Sequence, residues 1–106
     1  MKEKYAVIFC TTPSKEVAKE LSKKLLNENL IACSTIIPAY LSIYKWQGKV
    51  CEEEEFLCIF KTKVENYEKI EKIILKSHPY EVPEIILLEI KKGFEKYLNW
   101  INESLI

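Results

Sequence analysis

The 106 residues balance to zero net charge, and only two ionisable types dominate the balance: all sixteen basic residues are lysine and all sixteen acidic residues are glutamate. Without arginine the chain lacks the usual bidentate grip on phosphate or carboxylate, and without aspartate it lacks the usual Mg²⁺–phosphate ligands and aspartate-based catalysis. A hydrophobic content of 48% at this length predicts one compact domain over residues 1–106, with a core that needs no disulfide or metal. The Lys/Glu bias fits a thermophile and an AT-rich genome equally well.

In chain order, Met1-Lys2-Glu3-Lys4 leads into only a short apolar run, so no secretory leader is expected. No apolar stretch approaches the roughly 18 residues of a membrane span. Residues 5–10 read as a buried strand. Thr12 or Ser14 caps a first helix, with Pro13 near its first turn and Val17, Ala18, Leu21 and Leu25 on its inner face. Residues 27–29 end it.

Residues 31–37 read as a second strand. Pro38 marks an edge or a bulge. Extended structure then resumes at Tyr40, with Tyr40, Ser42, Tyr44 and Trp46 on one face and Leu41, Ile43 and Lys45 on the other. Gln47-Gly48-Lys49 is the hairpin turn, and residues 50–61 form the returning strand. Thr62 to Glu65 matches a capping box for a second helix, buried through Tyr67, Ile70 and Ile74 and stopped by Pro79. Residues 84–90 read as a fourth strand. Beyond Gly93, the helical spacing of Phe94, Tyr97, Leu98 and Ile101 predicts a closing helix.

That order predicts an α+β fold, the ferredoxin-like βαββαβ sandwich with a long β2-β3 hairpin and an extra C-terminal helix. Strands one and four are not expected to be neighbours. Hairpin arms of about 12 to 15 residues span about 40–50 Å at ~3.3 Å per residue, too long for a domain with a radius of gyration of ~13 Å. Its tip carries Tyr40, Tyr44, Trp46, Phe56 and Leu57, which are costly to leave wet, and its long edge invites another chain. An oligomer with hairpins paired between subunits follows, unless the hairpin folds back at Pro38.

The only histidine, His78, stands between the second helix and Pro79, six residues before Glu84. It is either a residue suited to the negative end of the helix dipole or a ligand held by a stiff turn, with Pro79 and Pro83 preorganising it beside Glu84. Cys10 precedes a helix start, a setting that favours thiolate; the alternative is a small buried hydrophobe. If Cys10, His78 and Glu84 meet, their mixed S, N and O donors suit copper or zinc better than Mg²⁺ or Ca²⁺. Cys33 and Cys58 read as core and Cys51 as a thiol near the hairpin tip. No CxxC spacing appears, so the four thiols are expected to be reduced, in the cytoplasm. The glutamates at 52–55 alternate across a strand and cannot all converge on one ion.

Catalytic signatures are sparse. One histidine without aspartate leaves no Ser/His/Asp triad, there is no Gly-rich phosphate loop, and a Cys10–His78 dyad has no supporting motif. The stretch 56–62 lacks the RNA-binding signature that this topology sometimes carries. The chain is read as neither an enzyme nor a nucleic-acid or membrane binder.

Taken together, Cys10-Thr11-Thr12-Pro13, Leu30-Ile31-Ala32-Cys33, Pro38, Ser42-Ile43-Tyr44-Lys45-Trp46-Gln47-Gly48-Lys49, Glu55, Lys61-Thr62, His78-Pro79-Tyr80, Pro83-Glu84, and Gly93 with Tyr97-Leu98 and Trp100 resemble the CutA family of divalent-cation tolerance proteins. The resemblance runs over nearly the whole chain. Ala39 departs from a frequent glycine and Ser34-Thr35 from a more usual pair. The resemblance implies a tight homotrimer with exchanged hairpins and a role in divalent-metal tolerance, copper being the ion most often named. It implies Cys10, His78 and Glu84 as metal-binding positions, with Tyr44, Trp46, Glu55 and Lys61 at an intersubunit cleft. It implies a possible copper or other divalent cation as the bound group, and no organic cofactor. The competing reading is a trimeric signalling or scaffold module, related in architecture to PII-type sensors, that binds a small anion or a protein partner through Lys61.

Overall fold

The computed structural model describes residues 3–106. Among them the elements run β1 (Tyr5–Thr12), α1 (Lys15–Asn27), β2 (Cys33–Trp46), β3 (Lys49–Lys63), a 3₁₀ turn (Val64–Asn66), α2 (Tyr67–Ser77), β4 (Ile86–Glu89) and α3 (Glu95–Ser104). The strands form one antiparallel sheet in the order β2-β3-β1-β4. This is the ferredoxin-like arrangement. It corrects one expectation: β1 and β4 are neighbours, paired from Ala6↔Glu89 to Phe9↔Ile86.

Alternation along β1 buries Ala6, Ile8, Cys10 and Thr12 on the helix-covered face. Ile8 and Cys10 join Phe60 and Cys58 of β3, Ala18, Leu21 and Leu25 of α1, and Ile70 and Ile74 of α2 in one core. Lys61, one residue from Phe60, faces the opposite side, where its ammonium lies 6.0 Å from the ring centre of Tyr97 in α3.

Ser14, not Thr12, caps α1: its hydroxyl accepts from the Val17 N–H at 3.1 Å. The helix ends in a Schellman motif. Asn29 takes φ +58°, its N–H bonds the Leu26 carbonyl, and the Leu30 N–H reaches back to Leu25. The capping box expected at Thr62 does not form. Thr62 is still in β3, fully buried, and its hydroxyl donates to the Leu30 carbonyl at 2.6 Å. A buried hydroxyl satisfied across the fold outcompetes a local cap, so α2 starts later, at Tyr67. β4 is shorter than residues 84–90, because Glu84 and Ile85 lie beyond its pairing with β1. In α3 only Ile101 of the predicted face is fully buried; Phe94 and Tyr97 are exposed on the single chain.

The hairpin turns at Gln47 and Gly48, whose φ values of +50° and +80° are those of a two-residue type I′ turn between Trp46 and Lys49. The strand continues through Pro38, paired with Phe56, and proline is tolerated there because β2 is an edge strand. The register shifts between Ala39 and Ser42, where three steps on β2 face two on β3. This bulge takes Tyr40 out of step with Ser42, Tyr44 and Trp46. β1 pairs with β3 only from Phe56 to Lys63, so residues 49–55 of β3 overhang with β2 as their one neighbour. The molecule is accordingly long, 46 × 26 × 22 Å.

Candidate functional site

The overhanging hairpin forms one wall of a cleft of about 700 Å³, and the loop between α2 and β4 forms the other. The hairpin contributes Tyr44, Trp46, Glu53 and Glu55; the loop contributes Pro79, Tyr80 and Glu84; Thr11 closes the inner end. No lysine lines it.

The inner end is set by strand parity. The Ile90 N–H donates to the Tyr5 carbonyl at 2.8 Å, so odd-numbered residues of β1 turn their backbone groups toward β4. The last β1–β4 pair is Phe9↔Ile86, which leaves the Thr11 carbonyl beyond the end of β4. His78 fills the vacancy: its Nε2 lies 2.7 Å from the Thr11 oxygen. Nδ1 accepts from the Tyr80 N–H at 3.1 Å, so the proton resides on Nε2, which donates to Thr11. The ring is 8% exposed and packs 4.8 Å, centre to centre, from Tyr80. Both nitrogens are engaged in holding the loop to the sheet.

Tyr80, so oriented, donates its hydroxyl to Glu55 Oε2 at 2.7 Å. Burial and that bond push its phenol pKa up. On the hairpin, Tyr44 donates to Glu53 Oε1 at 2.9 Å, a bond that holds its phenol up at about 12. Partial burial, and then the charge of Glu55, raises the Glu84 carboxyl above the ordinary range. Glutamates 53 and 55 share the cleft side of β3, while Glu52 and Glu54 do not line it, as strand alternation requires.

Cys10, His78 and Glu84 do not converge. Continuing the register past Phe9↔Ile86 sets Glu84 opposite Thr11, and both line the cleft. Cys10, one residue away, points to the helix face and is fully buried. Burial pushes its thiol up to about 12, helped by Cys58, Glu84 and Glu55. Of the two readings of Cys10, the structure has the small buried hydrophobe and not the activated thiolate at a helix start: β1 runs on to Thr12, and the thiol sits in the core. Among the described residues no three His, Cys or Glu side chains are placed to hold a metal ion together. Of the residues expected at the cleft, Tyr44, Trp46 and Glu55 share it, and Lys61 lies on the α3 side of the sheet. Sequence reasoning missed Glu53 and Tyr80, whose signal was the strand parity with Glu55 and the position next to Pro79.

A family model described as CutA1 divalent ion tolerance protein matches residues 6–104. The chain belongs to the CutA1 divalent ion tolerance family. The divalent-cation tolerance protein CutA of Thermus thermophilus is 43% identical over 98 residues, 92% of this chain and 95% of that protein. The Escherichia coli protein of the same name is 39% identical over 99 residues, 93% of this chain and 88% of its own length. The solved structure described as the periplasmic divalent cation tolerance protein CutA from Archaeoglobus fulgidus matches with a TM-score of 0.93 at 33% identity, over 96% of this chain and 99% of that one. Among the described residues no helix is long and apolar enough to cross a membrane.

Proposed function

We propose that this CutA1-family chain acts in divalent-cation tolerance as a homotrimer, without catalysis, by binding a divalent cation weakly at a cleft between subunits. The observation that carries the reading is the carboxylate wall of Glu53, Glu55 and Glu84 beside a hairpin whose outer edge is unpaired. That edge and the exposed Ile43 and Val50 favour pairing with a second and third copy. Glu55 and Glu84 are the ligands one chain offers, and water or a neighbouring subunit completes the shell, which accounts for weak binding. The engaged imidazole and buried thiol leave an oxygen-donor site, so copper, the ion implied by the family resemblance, keeps only its general lead in affinity among first-row divalent ions and gains nothing from soft donors. The proposed location is a reducing cytoplasm, which four cysteines without CxxC spacing suit.

The anion-binding version of a signalling module is disfavoured, because among the described residues an anion finds no cationic side chain in the cleft. A scaffold that presents the apolar hairpin to a protein partner remains the second reading, favoured by the exposure of Tyr40, Ile43 and Val50. Calorimetry with Cu²⁺, Zn²⁺ and Mn²⁺, thiols kept reduced, separates the two. Binding that is lost in Glu55→Gln and retained in His78→Ala supports the cleft. The absence of heat with every ion removes the metal reading and leaves the scaffold.

A further inference from the structure

We infer that the same cleft is a cage for an alkylammonium group, such as the end of a small polyamine. Its walls are aromatic where a hydrated metal ion gains little: Tyr44 and Trp46 of the hairpin and Tyr80 of the loop all line it. Aromatic faces attract an organic cation once water is excluded, whereas a small divalent ion keeps much of its hydration shell. The acids that line the cleft are glutamates, and among the described residues no lysine lines it to neutralise them.

Glu55 is the independent sign that a cation belongs there. It is 7% exposed, and Tyr80 supplies its only side-chain hydrogen bond, to Oε2. Oε1 has no protein donor and, since no buried side-chain oxygen among the described residues lacks a partner, it opens onto the cleft; no lysine reaches ion-pair distance of Glu55 among the described residues, where the one ion pair is Lys63 with Glu3, at 3.1 Å. A carboxylate held largely out of water with one oxygen turned to a cleft favours a cation at that oxygen. The two phenols that donate to Glu53 and Glu55 fix both aromatic walls before any ligand arrives. A volume of about 700 Å³ fits a small organic molecule and far exceeds a bare ion.

The ammonium has two sources, a diffusible amine or a lysine of a second copy of the chain. The full-length chain with Trp100→Phe leaves Trp46 as the single tryptophan reporter, since the sequence holds two. Spermidine and butylamine are titrated against its fluorescence at constant ionic strength. The expected result is saturable binding, weakened about tenfold or more by Glu55→Gln, the loss of one charge-assisted contact. Glu55→Gln keeps an acceptor for Tyr80; circular dichroism checks its fold, and Glu84→Gln repeats the test from the opposite wall. A second arm treats the chain with a carbodiimide, which joins a carboxylate to a lysine in contact. A cross-link between copies that disappears in Glu55→Gln assigns the cage to a neighbour's lysine. Amine binding unchanged by both glutamine variants overturns the inference, as does the absence of both amine binding and cross-link. An alkylammonium has no lone pair for a metal, so this outcome is independent of the metal calorimetry.

Discussion

His78→Ala separates strut from ligand. The alanine removes the donor to the Thr11 carbonyl and the acceptor of the Tyr80 N–H, at 2.7 and 3.1 Å in the native protein. Each partner is a backbone group in a part-buried setting, and each left unpaired costs about 1–2 kcal/mol, so the pair sums to about 2–4 kcal/mol. Lost ring packing on Tyr80 adds a smaller amount. His78→Gln retains an amide donor where Nε2 stood and should recover about half of the loss. Urea denaturation at fixed protein concentration measures both variants, since the stability of any assembled form depends on concentration. The Tyr80 hydroxyl should also lose its hold on Glu55, visible as a downward move of the Tyr80 phenol pKa from its raised native value. A fully stable His78→Ala protein that no longer binds metal would refute the reasoning and return the imidazole to the ligand set.

Glu84 has a folded pKa above the ordinary carboxyl value of 4.5, so it contributes stability fully present at low pH and lost as pH rises through the folded value. Glu84→Gln should therefore gain on the wild type as pH rises from 4 toward neutrality and match it below; parallel unfolding midpoints across that window would contradict this. At pH 8, iodoacetamide should label Cys51 on the hairpin and spare Cys10, whose thiolate fraction is about 10⁻⁴ with its pKa up at about 12. Mass spectrometry that finds Cys10 alkylated as fast as Cys51 overturns its core placement. Gly48→Ala should cost about 1–2 kcal/mol in urea, entirely from φ +80°, since an added Cβ meets nothing within 4 Å; Gly48→Asn should cost less. Ile43→Lys, at a side chain 62% exposed on the single chain, should shift sedimentation from trimer toward monomer if the hairpins assemble the protein. An unchanged species distribution would count against the trimer.

Much of the fold was legible because periodicity and turn chemistry point the same way. The 3.6-residue spacing of Ala18, Leu21 and Leu25 and the Gln47-Gly48 turn left little freedom in placing α1 and the hairpin. What failed was non-local. Thr62-to-Glu65 is a sound local cap, but the Leu30 carbonyl, thirty-two residues away in the chain, claims the hydroxyl. The bulge after Ala39 leaves no sequence mark beyond Pro38, since it is a count of residues on one strand against another. Helix propensity and strand pattern carry no information about which carbonyl lacks a partner.

The site turned on a single residue of parity. Cys10 and Thr11 are adjacent, and a strand sends their side chains to opposite faces. Ile8 and Cys10 share parity with the apolar residues that meet α1, so Cys10 was committed to the core by the same alternation that identified β1. Thr11 has the other parity and turns its carbonyl toward a β4 that stops at Ile86. Any side chain in the loop before β4 that can donate is drawn to that carbonyl, and His78 is stationed there by the helix stop at Pro79. The histidine that the family resemblance implied as a ligand is thus the one the sheet needs as a donor. The carboxylates with no such duty, Glu55 and Glu84, are left facing the cleft.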